Sequence, residues 1–183
     1  GVLRWAKIKY VTYREQDNRK GGWDKINTEM MKSLVEKVIK VDRGGPESRT
    51  GKVLEAGSDY ITLLNADEGI IYYKTAHIKS LTYNTRAQVQ LDVEIPEDFT
   101  YIQADDFMGV LEKLTMRWVK INRGGKETLE GLMYIGSATD DFITIIANEE
   151  MVRVALFHIR NISYGVKVAK VQSAKERTKE TKK

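Results

Sequence analysis

The chain writes one glycine-rich turn twice. VDRGGPESRTGKVL at 41–54 returns as INRGGKETLEGLMY at 121–134. Aligned on Arg-Gly-Gly, Arg43 matches Arg123, Gly44 matches Gly124, Gly45 matches Gly125, Glu47 matches Glu127 and Gly51 matches Gly131, at a constant offset of 80 residues. The match extends to AHIKSLTY at 76–83 and FHIRNISY at 157–164, with one residue inserted between, so His77 and His158, the only 2 histidines, are equivalent. Upstream, MMKSLVEKVIKV parallels VLEKLTMRWVKI. The duplicated unit therefore spans 28–83 and 105–165. Two copies are too few for a solenoid, whose units bury their faces only by stacking, and each copy has enough apolar positions for a small core.

Periodicity changes once inside each copy. Met31, Leu34, Val35 and Val38 recur at helical spacing, as do Phe107, Val110, Leu111 and Leu114, which predicts a short amphipathic helix in each. Asn27 or Thr28 is placed to cap the first helix and Asp105 the second. Short runs rich in β-branched and aromatic residues follow, separated by Gly, Asp, Asn and Ser. They predict strands over 38–43, 52–56, 60–64, 70–74 and 79–83, then over 118–123, 132–135, 142–146, 151–155 and 160–164. A helix followed by five short strands, with a turn before the last, describes a small barrel, because closure satisfies strand edges that would otherwise stay open. The expected fold is mainly β: two tandem small Sm-like β-barrels, each preceded by a short helix.

The expected domains are an N-terminal extension over 1–27, partly extended; a first barrel over 28–83; a linker over 84–104; a second barrel over 105–165; and a basic flexible tail over 166–183. In the linker, QVQLDVEIP alternates strictly between polar and apolar residues and predicts a strand. WAKIKYVTY near the start also reads as extended, and 7–13 is expected to pair with 88–95 as an accessory ribbon.

The overall charge of +4 conceals a division. Residues 1–25 hold seven Lys/Arg against three Asp/Glu and residues 166–183 hold seven against two, which leaves −5 on 26–165. A folded nucleic-acid-binding domain concentrates positive charge on its working face; here the repeats are acidic and the ends basic. With 42% hydrophobic residues the chain can bury a core. It has no Cys, hence no disulfide or thiolate chemistry. No apolar run approaches the roughly 18 residues of a membrane span, and no signal-peptide pattern is visible. The first residue is Gly rather than Met, as expected of a processed fragment.

The chemistry-bearing candidates read as structural. Arg-Gly-Gly lacks the spacing of a phosphate loop and the helix that should follow it, and Glu47 or Glu127 would face the phosphate. Paired glycines between strands instead supply positive φ at little steric cost. Arg43, Gly44, Gly45, Glu47 and Gly51, with Arg123, Gly124, Gly125, Glu127 and Gly131, are expected to form a structural turn, with Arg43–Glu47 and Arg123–Glu127 pairing across it. His77 and His158 lack a partner base, nucleophile or ligand set and are expected to cap the turn before the last strand by local hydrogen bonds. Asp105-Asp106, Asp140-Asp141 and Glu149-Glu150 are sequence neighbours on a helix start or in turns, not carboxylates facing across a cleft. Tyr72, Tyr73, Phe142 and Trp118 are expected in the core or at an interface. No catalytic residue, cofactor or metal is expected.

RGGPESRTGKV, SDYITLL and EGIIYYKTAHIKSLT, followed by ADDF, LTMRWVKINRGG, EGLM and FHIRNISYG, resemble the spore coat protein B family of the Bacillus group over most of 30–166. The resemblance implies a non-enzymatic structural component of the spore coat, made in the mother cell cytoplasm and deposited on the spore. Its implied partners are other spore coat proteins. Family members often extend into a Ser/Lys/Arg-rich tail that can be phosphorylated; this tail is Lys-rich but carries only Ser173, Thr178 and Thr181. Self-association and polyanion contact through the basic tail complete the expected partners; no membrane is expected, and nucleic acid is disfavoured. The alternative is an Sm-like RNA-binding protein, against which the acidic repeats weigh, since phosphate contacts need clustered Lys and Arg.

Overall fold

The switch from helical to alternating periodicity is where each copy turns from helix to sheet. In the computed structural model, which describes residues 28–84, 91, 93–137, 139–165 and 169–170, helix α1 covers 28–32 and α2 covers Phe107–Leu114. α2 buries Phe107, Val110, Leu111 and Leu114, the stripe expected of one apolar helical face. Its N-cap is Asp106 rather than Asp105: the Asp106 carboxylate accepts the Gly109 N–H at 2.7 Å. The chain leaves both helices in the same way. Glu36 and Met116 take φ of 71° and 63°, and their N–H groups donate at 2.8 Å to the Val53 and Met133 carbonyls.

The first copy supplies β1 (Val38–Val41), β2 (Arg49–Ala56), β3 (Tyr60–Asn65), β4 (Gly69–Lys74) and β5 (Leu81–Thr82). The second supplies β7 (Trp118–Ile121), β8 (Leu129–Tyr134), β9 (Phe142–Ala147), β10 (Glu150–Ala155) and β11 (Asn161–Tyr164). A 3-10 turn, Thr75–His77 or Leu156–His158, precedes the last strand of each. Between the copies lies β6 (Val93–Glu94), which pairs antiparallel with β12 (Ala169–Lys170). Part of the expected flexible tail is thus a strand. The partner expected for 88–95, residues 7–13, lies outside the described residues, as does Asn27.

The two closed barrels expected from element order do not form. The ten strands of the copies make one antiparallel sheet in the order β10-β9-β8-β7-β11-β4-β3-β2-β1-β5. Each copy keeps its five strands together, and β5 and β11 fold back beside β1 and β7. The outer side of β4, however, is taken by β11 of the other copy, with Asn161, Ile162 and Ser163 opposite Tyr73, Tyr72 and Ile71. A strand edge is satisfied by whichever backbone reaches it, and here that backbone belongs to the neighbouring repeat.

The cores follow from this pairing. One face of the first copy packs Ile39, Val41, Val53, Ile61, Leu63 and Ile71 under Met31 and Leu34 beside α1. The opposite face of β3 and β4, with Tyr60, Leu64, Ile70 and Tyr72, joins the cluster formed by α2 and the second copy. Residues 99–106 seal that face. Tyr60 Oη donates to the Ala104 carbonyl at 2.6 Å, Tyr72 Oη accepts the Ile102 N–H at 2.8 Å, and Asp59 accepts the Phe107 N–H at 2.7 Å.

Candidate interaction surface

The repeated turn sits where the two copies meet. One glycine of each pair lies in the left-handed region, but not the same one: Gly45 has φ 88° and Gly124 has φ 92°. A Cβ on Gly124 would run into the Pro46 carbonyl, and one on Gly125 would meet Glu47 and Arg160, so the second turn is seated against the first. Gly51 and Gly131 lie inside β2 and β8 rather than in the turn, each pressed against the carbonyl of a neighbouring strand, Leu64 or Ile146. The ion pairs expected across each turn are replaced by pairs between copies. Arg160 Nη2 meets Glu47 Oε1 at 2.5 Å, and Arg123 Nε meets Glu68 Oε1 at 3.2 Å, with Arg49 on the same oxygen at 2.9 Å. The reason is geometric: the β4–β11 ladder brings the basic groups of the second copy to the acidic groups of the first.

His77 also acts between copies. Its Nε2 lies 2.7 Å from the Phe157 carbonyl oxygen, and its ring meets the Phe157 ring edge-on. This contact is not the local cap that the sequence suggests. His158 is exposed beside Phe157, and its carbonyl accepts from Asn122 Nδ2 at 3.0 Å.

The residues that fasten each turn were missed in the sequence. Asp42 and Asn122, immediately before Arg-Gly-Gly, are buried with φ of 54° and 50°. Asp42 Oδ1 accepts the Lys79 and Ser80 N–H groups at 2.8 and 3.3 Å, and Asn122 Oδ1 accepts the Arg160 N–H at 2.7 Å. The signal was available: Asp and Asn are the non-glycine residues that best tolerate positive φ, and both copies place one at this point.

Elsewhere the chemistry is structural. A cavity of about 520 Å³ beside the start of α2 is lined by Glu55, Asp105, Asp106, Glu112 and Lys113 among others. Burial pushes the Glu55 carboxyl above the usual carboxylate range, against the pull of the Tyr60 hydroxyl and Lys113. Lys113 Nζ donates to the Gln103 carbonyl at 2.5 Å. Asp106 caps α2, and Asp140 accepts the Ser137 N–H at 3.0 Å within its turn. Among the described residues no cluster of three or more acidic or His side chains could hold a metal ion. Tyr72 and Tyr73 are buried, and desolvation pushes both hydroxyls far above the phenol range; neither ring is free to stack on a base.

What the surface offers is an apolar row. Trp118, Leu132, Ile146 and Met151 are direct cross-strand neighbours over β7, β8, β9 and β10. Trp118 is 58% exposed and Met151 66%. Trp118 Nε1 donates to Glu130 Oε1 at 3.0 Å, and the hydrogen bonds from Lys120 and Trp118 hold the Glu130 carboxyl below its ordinary range. In the first copy the matching positions on β3 and β4, Leu64 and Ile70, are fully buried.

The described chain is thus mainly β, with two buried cores and an apolar row across β7–β10. The chain is similar to Spore coat protein B of Bacillus subtilis (strain 168), with 36% identity over 134 residues. The match covers 73% of this chain and 34% of that protein, so the chain is a spore coat protein B-like relative that spans about a third of the relative's length. No family model matches the chain, and no solved structure does.

Proposed function

We propose that the chain is a structural component of the spore coat that works through protein–protein contacts rather than catalysis. The observation that carries this reading is the similarity to spore coat protein B over most of the chain, which supports a place in the coat. The exposed row Trp118–Leu132–Ile146–Met151 supports the mode of action, because large apolar side chains grouped on a surface mark interaction sites. The proposed partners are other coat proteins. No helix among the described residues is long and apolar enough to cross a membrane.

A fluorescent fusion in sporulating cells, with extraction of coat layers from purified spores, tests the reading. Signal accumulating around the developing spore and protein recovered in the coat fraction are expected. A diffuse signal and absence from the coat fraction would overturn it.

A further inference from the structure

The sheet begins and ends on strands whose outer sides have no strand partner among the described residues: β10 at one end and β5 at the other. They are the equivalents of β4 and β11, the two strands that meet at the junction between copies. The molecule therefore holds inside itself a worked example of how its own ends fit.

The backbone is set for that fit. At the junction the Lys74 N–H donates to the Arg160 carbonyl at 3.0 Å, so Ile70, Tyr72 and Lys74 face β11. On the other side of the first repeat's last strand, the Asp42 N–H donates to the Ser80 carbonyl at 2.9 Å, which leaves the Lys79 carbonyl, Leu81 and Tyr83 facing outward, the Lys79 N–H being held by Asp42 as the Arg160 N–H is by Asn122. The Leu156 N–H donates to the Asp141 carbonyl at 2.8 Å, so the groups facing β9 alternate with those of Met151, Arg153 and Ala155, which face outward. Transferring the junction register places Lys79, Leu81 and Tyr83 opposite Ala155, Arg153 and Met151.

Charge and apolar matching agree with this register. The junction sets Glu47 and Glu68 on the β4 side against Arg160 and Arg123 on the β11 side. Their equivalents are Glu127 and Glu149 beside β10, and Lys79 and Arg43 beside β5. All four are exposed, and none has an ion-pair partner among the described residues. Every sign is preserved although the strands between have diverged, Tyr72 to Arg153 and Tyr73 to Val154. Met151, 66% exposed, would meet Tyr83, 46% exposed, the places that Ile70 and Tyr164 take when the junction register is continued by one residue. Arg153, whose guanidinium lies 5.3 Å from the Phe142 ring, would come beside the Tyr83 ring, itself approached by Lys37 at 5.7 Å, where Tyr72 stacks on Tyr164 at 6.4 Å.

We propose that the β10 edge of one molecule takes the β5 edge of a second copy of this chain, head to tail, with Glu149 meeting Arg43 and Glu127 meeting Lys79. Such a contact is heterologous: repeated, it closes into a ring or grows as a filament, according to the rotation between copies. The proposal deepens the reading of the chain as an assembly component and rests on it for its biological setting.

Sedimentation velocity of the full chain over a range of concentrations tests it. Association is expected to rise with concentration and to weaken as salt screens the ion pairs. Arg153→Pro removes an outward N–H without touching the β9 ladder, since proline is tolerated on the open side of an edge strand. It should weaken association at least about tenfold, the equivalent of one or two lost hydrogen bonds, at an unchanged melting temperature. Glu149→Lys and Arg43→Glu should each weaken association alone, and mixing the two variants should restore it, because the two exchanges together put opposite charges back across the contact. A chain that stays monomeric at every concentration overturns the proposal. Association that Arg153→Pro abolishes and the charge exchange leaves unmoved means β10 pairs with its own kind, and also overturns it. A monomer still recovered in the coat fraction sinks the edge contact alone; a self-associating chain absent from the coat sinks only the coat assignment.

Discussion

β4 and β10 are matching strands, each the fourth after its helix, in two different surroundings. In β4, Gly69–Tyr73 are all buried and only Lys74 is partly open; in β10, Glu150, Met151, Arg153 and Ala155 are exposed and Val152 and Val154 half-buried. The inward positions stay apolar, with Ile71 and Tyr73 replaced by Val152 and Val154. The outward ones do not, with Ile70 and Tyr72 matched by Met151 and Arg153. β4 is covered on its second face by 99–106 and α2, and along its edge by β11. No described residue does the same for β10. The difference teaches that neighbours, not the strand's own fold, decide how hydrophobic such a strand must be. A strand buried on both faces reads as a continuous apolar run, and one buried on a single face alternates.

Substitution at matched positions is the strongest way to break this comparison. Tyr72→Ala removes a fully buried ring and its hydrogen bond to Ile102 and should cost about 3–5 kcal/mol. Arg153→Ala, the matching change on β10, should stay within about 0.5 kcal/mol. Chemical denaturation of the two variants measures both, and similar losses would mean that the surroundings are not different.

A second test sharpens what the copies share. Asn122→Ala leaves the Arg160 N–H and the His158 carbonyl without their partner and should cost about 1–3 kcal/mol. Asn122→Asp keeps the acceptor and should cost less. Asp42→Ala should resemble Asn122→Ala, since Asp42 does the same work in the other copy. Thermal unfolding decides it; a neutral effect at either site would show that the turn is held by its glycines alone.

The smallest expected effect lies at Glu55, which pairs with Thr62 as Tyr134 pairs with Thr144 in the second copy. The cover over the first copy strips water from its carboxyl, and burial raises its pKa. A raised pKa in the folded state means that the group's contribution is most favourable below the ordinary carboxylate pKa, roughly 4.3, and is lost as pH rises through the folded value. Glu55→Gln should therefore be slightly more stable than the parent at pH 7 and equal to it near pH 4. A variant less stable than the parent at pH 7 would reverse the sign.

Much of the local structure was legible in the sequence. The stripe Phe107, Val110, Leu111 and Leu114 located α2, and β-branched runs located the long strands, because periodicity reports which face of an element is buried. Partner choice along strand edges was not legible. Backbone hydrogen bonds carry no side-chain signature, so nothing in Gly69–Lys74 announces that β11 rather than β5 lies beside it. The ion pairs were missed for the same reason: Arg43 and Glu47 are close in sequence, but Glu47 meets Arg160 only once the copies are joined. Tyr72 reads as a core or interface residue, yet what buries its outer face and that of Tyr60 is largely the linker, whose residues 99–104 show no periodic pattern.

Hydrogen exchange on the dilute chain, resolved by residue, measures the central claim most directly: the β4 edge is closed by the other copy and the β10 edge is open. The Ile70, Tyr72 and Lys74 amides should exchange slowly, protected by β11, while those of Met151, Arg153 and Ala155 exchange fast. Fast exchange at Tyr72 and Lys74, or protection at Arg153 equal to that at Tyr72, would contradict the account.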